Sequence, residues 1–324
     1  MTSRRQTLSY LKSLFARKGI APRYRYGQNF LIDLNIHDLI VKAAEVGPGD
    51  VVLEVGPGAG ALTVLLAASG ATVVAVDIDP AMAALTAEAT LEIPGVRVLN
   101  LDALAGKNRL NPEMLDQVRS GLAVAPGRRF KLVANLPYNA ATPIIGNLLV
   151  HPELCPARIV ATIQLELAQR MMAEPGSDDY GALSVLIQAV ADASLVRTLP
   201  PSVFWPRPKV DSAVIALVPD PAKMAAVGDL PWFHSVVRRL FLHRRKNLRR
   251  VLYSLWRDRW TKPEVDALLD DLGLTGQVRA EAMTVAQHIA LAAALRHRLG
   301  PDAATEAERD EDEGDGPDGL EQGP

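Results

Sequence analysis

Short apolar runs alternate with helical patterns over the first two thirds of the chain. Five runs predict buried strands, at residues 51–55, 71–76, 96–101, 130–134 and 158–164. Between them, residues 61–68, 81–90 and 142–149 predict helices. Strands that alternate with helices are typical of a parallel α/β sheet with right-handed connections. Residues 183–191 and 214–218 predict a further, terminal pair of strands.

The pattern changes near residue 231. From there to Leu299 the apolar positions follow helical spacing, with breaks near residues 261–263 and 273–276. We therefore expect a smaller, all-helical domain after the sheet. A chain of 324 residues is long enough for two such domains, each with its own core.

Composition narrows the class of protein. Of all residues, 48% are hydrophobic, which indicates a globular protein. The single cysteine, Cys155, excludes an internal disulfide and a multi-cysteine metal site, and it fits a reducing cytosol. The histidines are scattered without metal-ligand spacing, and no charge-free apolar run is long enough to span a membrane. We expect neither a metal site nor a membrane segment.

Charge is divided unevenly along the chain. The sequence has 35 Lys and Arg against 37 Asp and Glu, a net charge of −2. Residues 302–324 hold ten of the acidic residues and one basic residue, so residues 1–301 keep 34 basic against 27 acidic residues, a net charge of +7. A basic body with an acidic tail favours a nucleic-acid partner, although a tail that only improves solubility is an alternative. We expect the tail, which has no aromatic residue, to be disordered.

The N-terminal residues are also basic. Cations surround a weakly amphipathic pattern of apolar residues, the cations being Arg4, Arg5, Lys12, Arg17 and Lys18. A transit peptide can show this composition. We favour a short basic helix packed on the body of the protein.

A glycine-rich loop follows the first predicted strand. Gly56 and Gly58 permit a tight turn and a close approach of a ligand at the start of a helix, although the same spacing fits a purely structural turn. Asp77 ends the second strand, where an acid can hold both hydroxyls of a ribose. Asp102 ends the third strand and can accept the amino proton of a cofactor's adenine or cap the next turn. Asp79 is expected to cap a helix or to face solvent.

The tetrapeptide Asn135-Leu136-Pro137-Tyr138 follows the fourth strand. The exocyclic amine of adenine is a poor nucleophile because its lone pair is delocalised into the ring. The Asn135 side-chain oxygen and the Leu136 carbonyl can each accept one N–H of that amine, which exposes the lone pair. Pro137 stiffens the turn, and Tyr138 offers a flat face on which the base can stack. The motif therefore predicts methyl transfer to adenine.

Seven cations and no acid lie within residues 238–250. They are Arg238, Arg239, Arg244, Arg245, Lys246, Arg249 and Arg250. Apolar residues at helical spacing across this stretch predict one helix with the cations on its outer faces. Unpaired cations at this density repel one another, so contact with RNA phosphates is favoured over a solvated basic face. As RNA-binding residues we assign Arg244, Arg245, Lys246, Arg249, Arg207 and Lys209.

The chain resembles the small-subunit ribosomal RNA adenine N6,N6-dimethyltransferase family, from about Leu8 to Leu295. The matching segments, in order, are residues 26–33, the glycine loop, and residues 76–79, 135–138, 180–185, 208–214 and 241–248. The resemblance implies a Rossmann-like class I methyltransferase sheet in an α/β fold, a small C-terminal all-helical domain and the cofactor S-adenosyl-L-methionine. It implies cofactor contacts from Asn29, Leu31, Gly56, Asp77, Asp102 and Asn135, to which the glycine loop adds Gly58.

The resemblance also implies a substrate. Members of the family dimethylate two adjacent adenosines near the 3′ end of small-subunit rRNA, so the implied partner is an immature small ribosomal subunit, and we expect a cytoplasmic monomer. The expected domains are a basic N-terminal extension (1–22), an S-adenosylmethionine-binding catalytic domain (23–222), a helical RNA-binding domain (223–300) and a disordered acidic tail (301–324).

Two positions depart from the family's usual pattern. Leu165 stands where a lysine is usual, and Asp77 stands where a longer glutamate is usual, which can loosen ribose binding. Three alternatives remain: a large-subunit rRNA adenine methylase that confers antibiotic resistance, a non-catalytic ribosome-assembly or transcription factor, and a nicotinamide dehydrogenase. Residues 135–138 argue against the last two, and residues 208–214 with the basic helix argue against the first.

Overall fold

A seven-stranded sheet organises the larger part of the chain. The computed structural model describes residues 7–106, 109–243, 246–257 and 259–300. These residues form two compact units. Unit 1 runs up to Met172 and includes Ala191–Asp220, and unit 2 comprises Ala173–Val190 and the described residues from Pro221 onward. The expected acidic tail, residues 301–324, lies outside the described residues.

The sheet belongs to unit 1. Its strands are β1 (Asp50–Val55), β2 (Thr72–Asp77), β3 (Val96–Asn100), β4 (Arg129–Asn135), β5 (Arg158–Gln164), β6 (Ala191–Leu199) and β7 (Ser212–Pro219). Their order across the sheet is β3-β2-β1-β4-β5-β7-β6. The first five strands run parallel to one another, and β7 is antiparallel to both β5 and β6. The five strands predicted from the apolar runs are confirmed, with their ends shifted by no more than one residue.

Of the two strands predicted as a terminal pair, one is confirmed and the other is wrong. The run at 214–218 belongs to β7, but the run at 183–191 forms a helix, α8 (Ala182–Val190), within unit 2. Nearly every side chain of α8 is buried, so the run shows no polar face and resembles a buried strand. The strand that pairs with β7 is β6, which lies at the edge of the sheet and is mostly exposed, so its apolar signal is weak.

Among the described residues, seven α-helices precede α8 and lie in unit 1. They are α1 (Leu8–Lys18), α2 (Leu34–Ala44), α3 (Ala61–Ala68), α4 (Pro80–Thr90), α5 (Pro112–Leu122), α6 (Ala141–Leu149) and α7 (Leu165–Met171). Helices α2 and α3 pack on the sheet through one core, in which Ile40 and Leu66 lie with Val52, Val73 and Val133. This packing fixes the strand ends from which the site is built.

Helix α1 packs on unit 1, as we expected of a short basic helix. Its apolar residues Leu11, Leu14 and Phe15 are buried against Met82 and Leu85. The Phe15 ring also meets the ring of Phe30 edge-on, with centroids 5.3 Å apart. Two short segments, Phe30–Leu31 and Phe204–Trp205, pair antiparallel to each other.

The expected catalytic domain of residues 23–222 differs from unit 1, because unit 1 includes α1 and residues 173–190 cluster with unit 2.

Unit 2 is helical, as predicted. After α8 it contains α9 (Pro221–Val227), α10 (Leu230–Leu242), α11 (Leu248–Leu255), α12 (Lys262–Asp271) and α13 (Val285–Leu299). Both predicted breaks are confirmed. The first is the start of α12, where Thr261 and Glu264 form a capping box, and the second follows α12, where Gly273 adopts φ 63°.

The prediction of one basic helix over residues 238–250 is wrong. Helix α10 ends at Leu242, and α11 begins after Asn247, whose side chain accepts a hydrogen bond from the backbone N–H of Arg250 at 3.0 Å. Asparagine favours such a cap over a helix interior, which explains the break. The cations do not all face outward either, because Arg239 is buried within α10. Arg244 and Arg245 lie outside the described residues.

Candidate active site

One cavity of about 330 Å³ lies where β1, β2 and β4 end, within unit 1. All ten residues assigned to catalysis or cofactor binding line it: Asn29, Leu31, Gly56, Gly58, Asp77, Asp102, Asn135, Leu136, Pro137 and Tyr138. Parallel strands bring their carboxyl ends to one edge of a sheet, and there the loops that follow them meet. Residues that are more than 100 positions apart in sequence therefore share one site.

The glycine loop is tightly enclosed. Gly56 and Gly58 have φ values of 74° and 61°, which favour glycine over residues with a side chain. A Cβ atom on Gly58 would lie 3.0 Å from the Phe30 ring, and one on Gly56 would lie 3.3 Å from Cδ of Pro137. The loop is thus in contact with the N-terminal segment on one side and with the 135–138 motif on the other.

Asp77 presents a fixed carboxylate to the cavity. Its Oδ1 accepts a hydrogen bond from the backbone N–H of Asp79 at 2.9 Å, and its Oδ2 accepts one from the N–H of Gly58 at 3.4 Å. Burial raises the pKa of Asp77 to about 6, although these two hydrogen bonds act in the opposite direction. A carboxylate held in this way suits a ligand that brings hydroxyl donors.

The two other acids at the strand ends differ in exposure. Asp102 is exposed, and its Oδ1 caps a turn by accepting from the N–H of Leu104 at 2.9 Å, while the residue also lines the cavity. Asp79 caps α4 by accepting from the N–H of Ala81 at 3.0 Å, so the predicted capping role is confirmed. The alternative that Asp79 faces solvent is wrong, because the residue is only 1% exposed.

The amide of Asn135 is oriented by a distant part of the chain. Its Nδ2 donates to the backbone carbonyl of Asn29 at 2.9 Å. A carbonyl oxygen can only accept, so this bond decides which end of the amide faces Asn29. The side-chain oxygen of Asn135 is the end left for a donor in the cavity. The turn that follows is closed by a hydrogen bond from the N–H of Ala140 to the Pro137 carbonyl at 2.9 Å.

Tyr138 is anchored at its hydroxyl. The hydroxyl lies 2.6 Å from Oγ of Ser212, at the start of β7, and burial raises the pKa of the phenol. The anchor limits rotation of a half-buried ring that lines the cavity, so the ring face is available for stacking at low entropic cost.

Two buried, titratable residues that line the cavity were missed by the sequence analysis. Glu54 is 1% exposed, and burial raises its pKa to about 8. Its Oε2 has no hydrogen-bond partner within the described residues. His37 is also buried, and burial lowers its pKa to about 4, which keeps it neutral at pH 7. The sequence does offer a signal for Glu54, because an acidic residue inside the apolar run 51–55 is unusual. It offers no comparable signal for His37.

The residues assigned to RNA binding are spread over both units. Lys246 and Arg249 are exposed in unit 2, and Arg207 and Lys209 are exposed in unit 1. Arg249 is not an unpaired cation, as had been expected, because its Nη2 donates to Asp266 at 2.6 Å. Arg244 and Arg245 lie outside the described part of the chain.

Neither a metal centre nor a membrane span is found in the part of the chain that the structure describes. Among those residues, no three or more His, Cys, Asp or Glu side chains form a group that could hold a metal ion. No helix there has the length and apolar character required to cross a membrane.

Comparison with known proteins identifies the family. The family model for ribosomal RNA adenine dimethylase matches residues 20–296, which include all ten assigned site residues. The chain belongs to the ribosomal RNA adenine dimethylase family. It is therefore an rRNA adenine dimethyltransferase that uses S-adenosylmethionine, and the alternatives of a nicotinamide dehydrogenase and a non-catalytic factor fall away.

Similar proteins cover nearly the whole chain. Ribosomal RNA small subunit methyltransferase A of Moorella thermoacetica is 38% identical over 288 residues, which are 88% of this chain and 96% of that protein. The protein of the same name from Phenylobacterium zucineum is 38% identical over 300 residues, which are 92% of this chain and 97% of that protein.

Solved structures show the same fold. A dimethyladenosine transferase from Plasmodium falciparum superposes with a TM-score of 0.67 at 23% identity, over 82% of this chain and 97% of that one. The 23S rRNA methyltransferase ErmE superposes with a TM-score of 0.55 at 27% identity, over 82% of this chain and 99% of that one. The Rossmann-like class I methyltransferase fold is confirmed.

The cavity suits the family's cofactor chemically. S-adenosylmethionine carries two ribose hydroxyls, an ammonium group and a sulfonium. Asp77 provides a fixed acceptor for hydroxyl donors, and the buried Oε2 of Glu54 is an acceptor that lacks a partner within the described residues. A ligand that brings hydrogen-bond donors satisfies both groups.

Proposed function

We propose that this enzyme dimethylates two adjacent adenosines near the 3′ end of small-subunit (16S) rRNA during ribosome assembly, as a cytoplasmic monomer. The observation that carries the proposal is the 38% identity to small-subunit methyltransferases, which extends over 88–92% of this chain.

In this proposal the cofactor is held by residues that line the cavity. The Asp77 carboxylate binds the ribose hydroxyls, the backbone of Gly56 and Gly58 permits close approach, and Asp102 accepts from the adenine amine. Asn29 and Leu31 complete the pocket from the N-terminal side, next to Asn135. S-adenosylmethionine supplies an electrophilic methyl group on its sulfonium. The usual glutamate is replaced here by Asp77, whose carboxylate is fixed by two backbone N–H groups.

The target adenine is held by the 135–138 motif. The Asn135 Oδ1 and the Leu136 carbonyl each accept one N–H of the exocyclic amine, which directs its lone pair at the methyl group. Tyr138 stacks on the base after it leaves the RNA stack. Positioning of the amine against the methyl group supplies most of the rate enhancement. The amine becomes acidic on methylation and loses its proton to solvent, so no side chain is required as a strong base.

Cations of unit 1 flank this site. Arg207 and Lys209 lie on the loop of residues 206–211. The loop begins after Trp205, which pairs with the lining residue Phe30, and it ends before Ser212, which holds the hydroxyl of Tyr138. Both ends of the loop are thus attached to the site. We infer that Arg207 and Lys209 contact phosphates next to the extruded adenosine.

Unit 2 supplies further phosphate contacts in this proposal, from Arg244, Arg245, Lys246 and Arg249. Arg249 is the weakest candidate of the four, because its pairing with Asp266 neutralises much of its charge. Leu165, which replaces a usual lysine, starts α7 and contributes no cation.

The substrate is tested by methyl transfer from labelled cofactor to purified immature subunits. We expect label in adenosines of small-subunit rRNA, at two adjacent positions, and none above background in large subunits. Label in large-subunit rRNA alone would instead support the alternative of a large-subunit rRNA adenine methylase. Sedimentation of the free enzyme measures its mass in solution and tests whether it is a monomer.

A further inference from the structure

Residues 23–29 form a segment along the edge of the cavity, and the structure holds this segment at Arg23, Gln28 and Asn29. The segment directly precedes the Phe30–Leu31 pairing, and its residues 25–29 line the cavity. The side chains of Arg23 and Gln28 both donate to Asp79, Arg23 over a longer distance of 3.4 Å, whereas the backbone carbonyl of Asn29 accepts from Asn135. The attachments to Asp79 and to Asn135 lead to different parts of the active site.

Gln28 attaches the segment to the cofactor edge of the sheet. Its Nε2 donates to Oδ2 of Asp79 at 2.9 Å, and its Oε1 accepts from the backbone N–H of Arg23 at 2.7 Å. Asp79 is a rigid partner because it is buried and caps α4 through Oδ1. The backbone N–H of Asp79 in turn donates to Asp77 at 2.9 Å, so Gln28 is connected to the ribose-binding carboxylate through one residue.

Asn29 attaches the same segment to the catalytic motif. Its carbonyl accepts the hydrogen bond from Nδ2 of Asn135, a residue 106 positions later in the chain. The Asn29 side chain is occupied elsewhere, because its Nδ2 donates to the carbonyl of Gly27 at 3.1 Å. The direction of the Asn135 amide therefore depends on where the segment places one backbone carbonyl.

We propose that Gln28 is a positioning residue for methyl transfer. By holding residues 23–29 on Asp79 it fixes the carbonyl of Asn29, and this carbonyl keeps the Asn135 amide in the orientation that accepts from the target amine. The inference rests on the proposed role of Asn135. In this proposal residues 23–29 do more than line the cavity. They connect Asp79, next to the proposed cofactor-binding residue Asp77, with Asn135 of the catalytic motif.

The test reverses the polarity of one hydrogen bond. Gln28→Glu removes the donor and places a second carboxylate against Asp79, so at saturating cofactor and RNA the rate constant for methyl transfer should fall about 10- to 100-fold. Adding Asp79→Asn supplies a donor in place of Oδ2, while the remaining Oδ1 can still cap α4. The double variant should recover a rate within about threefold of the original chain, because the two changes compensate as directly interacting partners do.

The control and the readouts distinguish positioning from general damage. Gln117→Glu alters a glutamine that accepts from Arg97 on the surface of unit 1, and it should leave the rate unchanged. Melting temperature, cofactor affinity and RNA affinity are measured for every variant. If Gln28→Glu does not fold, Gln28→Ala removes the bond to Asp79, together with the bond from the Arg23 N–H, without adding charge and should also lower the rate.

Several results would overturn the inference. One is an unchanged rate in the single variants, another is a double variant as slow as Gln28→Glu, and a third is a loss confined to cofactor affinity, which would make the segment only a cover. Each is judged against the unsubstituted enzyme on small subunits. If that enzyme transfers no methyl group, the proposed function fails instead.

Discussion

At the scale of single residues, the orientation of Asn135 decides what the cavity can do. Its Nδ2 is committed to the carbonyl of Asn29, so Oδ1 is the acceptor available for the target amine. A backbone carbonyl next to it, that of Leu136, completes the pair of acceptors in the proposed mechanism. Only the first of these acceptors can be removed by substitution without changing the backbone.

We expect Asn135→Ala to reduce methyl transfer by about 100-fold or more, as does the loss of other preorganised polar contacts to a transition state. The chain should still fold, because the change removes one hydrogen bond worth about 1 kcal/mol. Single-turnover transfer to small subunits and thermal melting measure the two effects. Asn147→Ala is the matched control, since it also removes an amide-to-carbonyl bond, that to Pro143 in α6, away from the cavity. Near-normal turnover in a folded Asn135→Ala protein would remove Asn135 from the mechanism.

The buried carboxyl of Glu54 predicts a dependence of stability on pH. Its pKa rises from an ordinary value of 4.5 to about 8 in the folded protein, mainly through burial. A group whose folded pKa is raised stabilises the fold fully below pH 4.5, and this stabilisation is lost as the pH rises towards 8. Glu54→Gln cannot ionise, so it should gain stability relative to the unsubstituted chain over this window, by at most about 1.4 kcal/mol per pH unit.

Melting of the cofactor-free proteins at several pH values between 4.5 and 8 measures this gain. The control is Glu92→Gln, at an exposed position, which should show no comparable trend. Parallel melting curves for the Glu54→Gln protein and the unsubstituted chain would mean that Glu54 is ionised in the folded protein.

At the scale of elements, both ends of the 206–211 loop are attached to the active site, whereas α11 belongs to the other unit. The contributions of these two basic regions to RNA binding can therefore be tested separately. Replacing Arg207 and Lys209 by Gln should weaken RNA binding and lower the slope of log affinity against log salt by roughly 0.7–0.9 for each lost phosphate contact. Cofactor affinity should not change.

The matched control replaces Arg97 and Arg119 by Gln, since these cations of unit 1 bond to Gln117 and Asp116 and do not line the cavity. The same titration of Lys246→Gln and Arg249→Gln should show a smaller change for Arg249, which pairs with Asp266. An unaltered slope after replacement of Arg207 and Lys209 would mean that this loop is a solvated face.

At the scale of the whole molecule, opposite charges are concentrated in different parts of the chain. Residues 302–324 are strongly acidic, and residues 1–301 are basic. Deleting residues 302–324 removes ten acidic residues and one basic residue, so the net charge of the remainder becomes +7. Nonspecific RNA affinity at low salt should rise, because the deleted acids compete with phosphates for the basic body, and the difference should shrink at high salt. A tail of the same length with Asn and Gln in place of its acids should behave like the deletion. Equal affinities for all three proteins would show that the tail's charge has no part in RNA binding.

The sequence determined the order of the elements and the chemistry of the motifs. Five strands, the glycine loop and residues 135–138 follow from local patterns, because strand and helix periodicities and the turn preferences of glycine and proline are set by near neighbours in the chain. Their shared position at one cavity followed as well, since parallel strands end at the same edge.

Only the tertiary structure decided the properties that depend on distant contacts. The run at 183–191 forms a helix that packs with nearly all of its side chains buried, and β6 is a strand because it pairs with β7. The pKa of Glu54 is set by the packing around it, and the direction of the Asn135 amide by a carbonyl 106 residues away. No local pattern encodes these results, because burial and long-range hydrogen bonds depend on which segments the completed fold brings together.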